Sequence, residues 1–144
     1  MFWFLVLGLT ILVSCAGKAE KPEKIKDLEY TVQKESELPE ELLSKIKEKQ
    51  KEPFRMTYVT DGYLYIAKGY GIQETSGYSI QITELYEAAE GVVFSTELIG
   101  PAKEEPVLKV ETYPYIVVKL KDLGLDILFQ TPLDLSIIKD IPLS

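Results

Sequence analysis

Histidine is absent from this 144-residue chain, and cysteine occurs once, at Cys15. Without histidine the usual general base near neutral pH is missing, as are Ser-His and Cys-His couples and the commonest metal ligand. A single cysteine excludes an internal disulfide framework and any Cys-rich metal cluster. No glycine-rich phosphate loop opens a helix, and no Gly-x-Ser-x-Gly elbow occurs. Catalysis by carboxylates, lysine or tyrosine stays formally open. However, the acidic pairs Glu40-Glu41 and Glu104-Glu105 are sequence neighbours, and neighbours on a strand point to opposite faces rather than into one cleft. Asp61 alone does not make a calcium loop. The chain therefore reads as a non-enzyme, with no catalytic residue, no metal site and no cofactor.

Basic residues are also scarce. Lys and Arg total 16 against 23 acids, a formal charge of −7, and none precedes Lys18. That sign repels phosphate backbones, which argues against nucleic-acid binding, and it disfavours adhesion to anionic headgroups.

What the N-terminus does have is an almost unbroken apolar run from Met1 to Val13. It is short for a membrane span, which needs about 20 apolar residues, and it fits the core of a secretory signal. At its end Leu12-Val13-Ser14-Cys15 resembles the lipobox of bacterial lipoproteins. The resemblance implies that residues 1–14 are a signal peptide, recognised through Leu12, Val13 and Ser14. It further implies that Cys15 carries a lipid, which would place the folded part in the cell envelope, on the extracytoplasmic side of a membrane. Two or three acyl chains suffice for stable anchoring. The alternative is a buried N-terminal helix with an ordinary cysteine. Residues 15–27, rich in Lys and Glu with Pro22, read as the lipidated cysteine and a solvated tether.

Residues 28–144 then form one domain. Leu28 to Val32 alternates as a half-buried strand should. Pro39, followed by two acids and the apolar stripe Leu42, Leu43 and Ile46, predicts one helix running to near Gln50 that covers a sheet. From Phe54 the period becomes two. Three hairpins are expected: 55–60 with 63–68 through Asp61-Gly62, 78–86 with 92–99 through Glu90-Gly91, and 115–121 with 125–130 around Asp122-Leu123-Gly124. The fold class is mainly β (α+β), a compact antiparallel β-sandwich or open barrel with one covering helix. The tail after Thr131 is expected as an edge strand or an ordered wrap.

In that order the chain shows Glu37-Leu38-Pro39-Glu40-Glu41, Tyr63-Leu64-Tyr65-Ile66-Ala67 with Gly69, Thr75-Ser76-Gly77-Tyr78-Ser79-Ile80, and Tyr113-Pro114-Tyr115-Ile116-Val117-Val118. Over roughly Leu28 to Leu125 this set resembles the PrcB C-terminal domain family of bacterial exported proteins and lipoproteins, whose founding example belongs to a surface protease complex. One departure stands at the glycine turn, where Ser76 replaces the first glycine of the family's usual Thr-Gly-Gly-Tyr-Ser. The resemblance implies an accessory or binding role beside a protease and supplies no catalytic residue.

Residues Tyr70, Gly71, Thr75, Ser76, Gly77 and Tyr78 form the most loop-like stretch of the domain, with glycines that free the backbone and tyrosines that offer rigid contact area. Tyr113, Pro114 and Tyr115 could join them in one aromatic patch for a protein partner. The bland reading makes the glycines turn formers, Tyr78 a core anchor and Tyr115 a half-buried strand residue. The expected function is a lipid-anchored extracytoplasmic protein-binding module, an accessory or regulatory subunit of an exported protease. The alternative is a surface module for carbohydrate or a small ligand, using Tyr63 and Tyr65 on one sheet face.

Overall fold

The structure is a computed structural model that describes residues 22–130. The leader, Cys15 with its lipobox, and the tail after Thr131 lie outside the described residues. Eight strands, one 3-10 turn and one α-helix are present among the described residues: β1 (Lys24–Asp27), β2 (Thr31–Val32), the turn Glu35–Glu37, α1 (Glu40–Lys49), β3 (Pro53–Thr60), β4 (Tyr63–Tyr70), β5 (Ser79–Ala88), β6 (Gly91–Ile99), β7 (Tyr115–Lys121) and β8 (Ile127–Gln130). They make two separate four-stranded sheets, ordered β1-β5-β6-β8 and β2-β7-β4-β3. The fold is thus a sandwich, not a barrel.

The first hairpin follows from its turn. Asp61 and Gly62 both adopt positive φ, 52° and 81°, the pair of left-handed residues that a two-residue hairpin needs to match strand twist. Tyr63 then pairs with Thr60 and the ladder runs unbroken to Tyr70 opposite Pro53. Because side chains alternate, Leu64 and Ile66 enter the space between the sheets. There they meet Val118, Leu120, Leu85, Val92 and Phe94, with Phe129 at the margin. Phe94 and Phe129 touch edge to face, ring centroids 6.0 Å apart, the arrangement the ring quadrupole favours. Tyr65 and Ala67 face the other way, onto α1.

The helix forms where expected. Pro39 precedes it in an extended conformation, Glu40 and Glu41 occupy its first turn, and Lys47 and Lys49 its last, which matches the charge preference of the two helix ends. Leu42 and Ile46 are completely buried against sheet β2-β7-β4-β3. Two side chains of this size stabilise the contact by about 1.5–3 kcal/mol each. The layers are therefore α1, its sheet, and then the second sheet.

Three expectations need correction. First, the tether does not extend to residue 27. Lys24–Asp27 pairs antiparallel with β5, and the Tyr86 hydroxyl donates to the Pro22 carbonyl at 2.8 Å. Every β1 side chain is exposed, so an edge strand held by backbone bonds leaves no apolar period to read. Second, residues 28–32 are not one strand. Leu28 caps the inner core, whereas Thr31 and Val32 already pair with β7 in the other sheet. Third, β7 and β8 do not form a hairpin. β7 lies against β4, while β8 crosses to the second sheet and pairs parallel to β6, so the sandwich is mixed rather than wholly antiparallel. Gly91 permits that crossing. A Cβ there would lie 2.4 Å from the Asp126 carbonyl oxygen, which accepts the Val92 N–H at 2.8 Å.

A polar clamp ties the 3-10 turn to both neighbours. The Tyr115 hydroxyl donates to Glu35 Oε2 at 3.0 Å, and Lys47 of α1 lies 3.2 Å from Glu35 Oε1. Hydrogen bonds from Lys47 and then Tyr115 hold the Glu35 carboxyl below its ordinary range. Burial, followed by the Glu35 hydrogen bond, pushes the Tyr115 hydroxyl up to about 12. A folded value above the unfolded one means that the Tyr115 contribution to stability is intact below about pH 10 and is lost as pH rises towards 12. Glu35 works in the opposite sense, its contribution being present above the ordinary carboxylate range and lost as pH falls through it. Ultraviolet titration of phenolate absorbance should show a tyrosine ionising near pH 12 that is missing in Tyr115→Phe.

Candidate protein-binding surface

The glycine-tyrosine loop is not free. Beyond β4 the chain turns at Gly71, whose φ of 76° admits glycine most easily. A Cβ there would already lie 3.0 Å from Pro53 Cδ. The loop then runs alongside residues 108–114, and the two are stitched by backbone and side-chain bonds. The Tyr70 N–H donates to Pro114 O at 3.0 Å, Gln73 and Thr112 exchange both bonds at 2.9 Å, and the Ser76 N–H donates to Leu108 O at 3.0 Å. In return the Leu108 N–H donates to Ser76 Oγ at 2.9 Å, and Thr112 Oγ1 donates to Thr75 O at 2.8 Å. The result is an irregular antiparallel ribbon, regular enough to form a bridge only at Gln73–Thr112.

Gly77 sets the end of this ribbon. Its φ is +96°, and a Cβ would lie 2.9 Å from Pro101 Cβ and 3.1 Å from Val107 Cγ1. Ser76, the departure from the double glycine, has a negative φ and is accommodated because its hydroxyl is the acceptor for Leu108. The side chain that replaces glycine thus contributes a bond to the ribbon.

Of the nine residues expected at the surface, the structure brings some together and separates others. Thr75, Ser76 and Gly77 lie on the ribbon, and Gly71, Tyr113 and Pro114 join it at its base. Tyr113 is half-buried, with its hydroxyl 3.5 Å from Glu111. Tyr70 contributes backbone only, since its hydroxyl bonds Thr96 across the sandwich. Burial, the larger cause, raises the Tyr70 hydroxyl and the Thr96 bond partly offsets it. Tyr78 is half-buried, its ring against Gly100. Tyr115 is on the opposite side of its sheet, under α1 and 6.4 Å from the Phe54 ring. A single aromatic patch including Tyr70 and Tyr115 therefore does not form, because strand alternation sends one inward and the other to the helix.

The residues that give this surface its apolar character lie in a segment to which the sequence pattern assigned no role. Leu108 is 68% exposed and Val110 49%, with Ile72 on the facing strand of the ribbon also exposed. Exposed large apolar side chains gathered on one element mark interaction surfaces more than scattered ones do. Val107-Leu108-Lys109-Val110 alternates as a strand would, and this is the signal that could have found them. Elsewhere, Tyr63 and Tyr65 do share a face, but Tyr65 is buried in the helix-side core. Lys119 sits over the exposed Tyr63 ring at 4.3 Å, which occupies one of its faces.

Residues 64–121 match the family model described as PrcB C-terminal. The family resemblance is borne out over that stretch, from β4 to the end of β7, and it contains the ribbon. It is narrower than the expected 28–125 and leaves out Glu37–Glu41. No curated protein and no solved structure matches the chain.

Gly77→Ala should cost about 1–3 kcal/mol in chemical denaturation, because positive φ is strained for a residue with a side chain. Hydrogen exchange should quicken first at the Ser76 and Leu108 amides. Equal protection in both proteins would show that Gly77 does not hold the ribbon.

Proposed function

We propose that this chain is a lipid-anchored, extracytoplasmic, non-enzymatic protein-binding module that serves as an accessory or regulatory subunit of a protease complex. The observation that carries the reading is the ribbon. Bonded along its length, it presents exposed Leu108, Val110 and Ile72 inside the segment that matches the PrcB C-terminal family. A pre-ordered apolar element loses little entropy on binding, so its contact area converts efficiently into affinity. The match to the PrcB C-terminal family, whose founding example belongs to a surface protease complex, supports a place beside a protease. The lipobox-like Leu12-Val13-Ser14-Cys15 supports an anchor at the membrane, with Lys- and Glu-rich residues to follow.

Two measurements separate the parts of this proposal. For the anchor, native protein should partition into a detergent phase and carry a mass consistent with a lipidated Cys15 amino terminus. Cys15→Ser should stay aqueous. An intact Met1 with an unmodified thiol refutes the anchor. For the binding role, affinity capture from solubilised membranes should recover an exported protease, and Leu108→Asp with Val110→Asp should weaken that capture by about tenfold or more. Undiminished capture by the doubly substituted protein would remove the ribbon from the interface.

A further inference from the structure

Most strands that end a sheet here are short or interrupted. β2 has two residues and β8 four, and β1 has four with a register break between Lys24 and Lys26. β3 is different. It ends the sheet that carries the helix, and its eight residues pair with β4 without a shift. Its other side has no partner strand among the described residues. A long, regular edge of this kind is a template for pairing with another chain.

Which backbone groups are open follows from the turn. In a two-residue hairpin the residues flanking the turn exchange both hydrogen bonds, so Thr60 and Tyr63 form a bonded pair. Bonded pairs alternate, and Tyr58, Met56 and Phe54 also direct their groups at β4. Val59, Thr57, Arg55 and Pro53 direct theirs away from it. The Tyr70 N–H, opposite Pro53, donates instead to Pro114 O, which agrees with this phase. Pro53 has no N–H to offer and stands at an outward position, where an edge strand tolerates it. The same four residues have exposed side chains, Val59 at 54%. Across the sandwich, the Arg55 guanidinium lies over the Phe129 ring of β8, 5.4 Å from its centroid.

We propose that β3 is an interface for a second copy of this chain, the two strands pairing antiparallel about a two-fold axis through Thr57. The open groups of Arg55, Thr57 and Val59 are symmetric about Thr57, so in this register every open N–H finds an open carbonyl. Thr57 then faces Thr57, a favourable cross-strand pair. Arg55 faces Val59 of the second copy and covers it with its stem, while the two arginines stand roughly 13 Å apart along the strands. Asp61 of the second copy lies on the diagonal from Arg55, within reach of a long side chain. No like charges meet, and opposite ones are brought together on both sides of the axis. A single strand pair is at the small end of specific interfaces, so the dimer is reversible. It is separate from the ribbon and stands or falls independently of the proposed function.

The test uses the full chain with Cys15→Ser, which removes the only native thiol. In the proposed register the two Thr57 Cα atoms are about 5.5 Å apart, inside disulfide reach. Thr57→Cys should therefore oxidise to a covalent dimer at least tenfold faster than Val59→Cys, whose copies lie roughly 13 Å apart. A mixture of Arg55→Cys and Val59→Cys proteins should cross-link to each other. Equal rates for Thr57→Cys and Val59→Cys overturn the pairing. As a second measurement, sedimentation of the Cys15→Ser protein should show a dimer fraction that rises with concentration. Thr57→Lys, which sets two cations directly opposite each other, should weaken that association by about tenfold or more. A protein that stays monomeric to about 1 mM, or a dimer untouched by Thr57→Lys, refutes the interface.

Discussion

The whole arrangement depends on β4 being buried on both faces. Its inward residues Leu64 and Ile66 build the core shared with the second sheet, while Tyr65 and Ala67 receive the helix residues Leu42 and Ile46. A strand covered on two sides cannot slip by one residue, since that would exchange two differently shaped apolar surfaces. The Asp61-Gly62 turn fixes the register at one end of the hairpin. β7 copies it on the other flank, with Ile66 opposite Val118 and Gly69 opposite Tyr115. Even the polar clamp of Glu35, Lys47 and Tyr115 follows, because Tyr115 faces the helix only in this register.

The ribbon is a consequence of the same pairing. Gly69 lies opposite Tyr115, so the chain leaving β4 and the chain approaching β7 emerge side by side and must satisfy their backbone groups on each other. Residues 71–78 and 107–114 do so with an irregular ladder, and Ser76 and Thr112 supply bonds where the backbone cannot. Exposed apolar side chains on an element held in this way form a surface whose shape is set before any partner arrives. This distinguishes the ribbon from a glycine loop that would have to be ordered on binding.

Charge is distributed unevenly between outside and inside. Acids dominate the surface, yet the margin of the inner core holds Lys68 beside Arg55. The same alternation that places Leu64 and Ile66 inward forces Lys68 inward as well, two positions further along the strand. Its burial is thus written into the pattern of β4.

Much of this was legible along the chain. Period-two alternation, Asp61-Gly62, Glu90-Gly91 and the stripe Leu42, Leu43 and Ile46 determine local structure within a few residues, and they correctly gave two hairpins, one helix and a β-rich fold. The absence of histidine and the solitary cysteine are likewise facts of composition. Partnership between distant segments was not legible. Nothing local tells β8 to cross to the other sheet and run parallel to β6, or lets an exposed edge such as Lys24–Asp27 be recognised as a strand. Nor could alternation say that Tyr70 would bond to Thr96 while Tyr115 turned to the helix, or that Leu108 and Val110 would complete the surface begun at Gly71. Sequence determines which residues share a face, because that follows from backbone geometry over neighbouring positions. Only the tertiary structure decides what each face meets, because that depends on contacts between segments far apart in the chain.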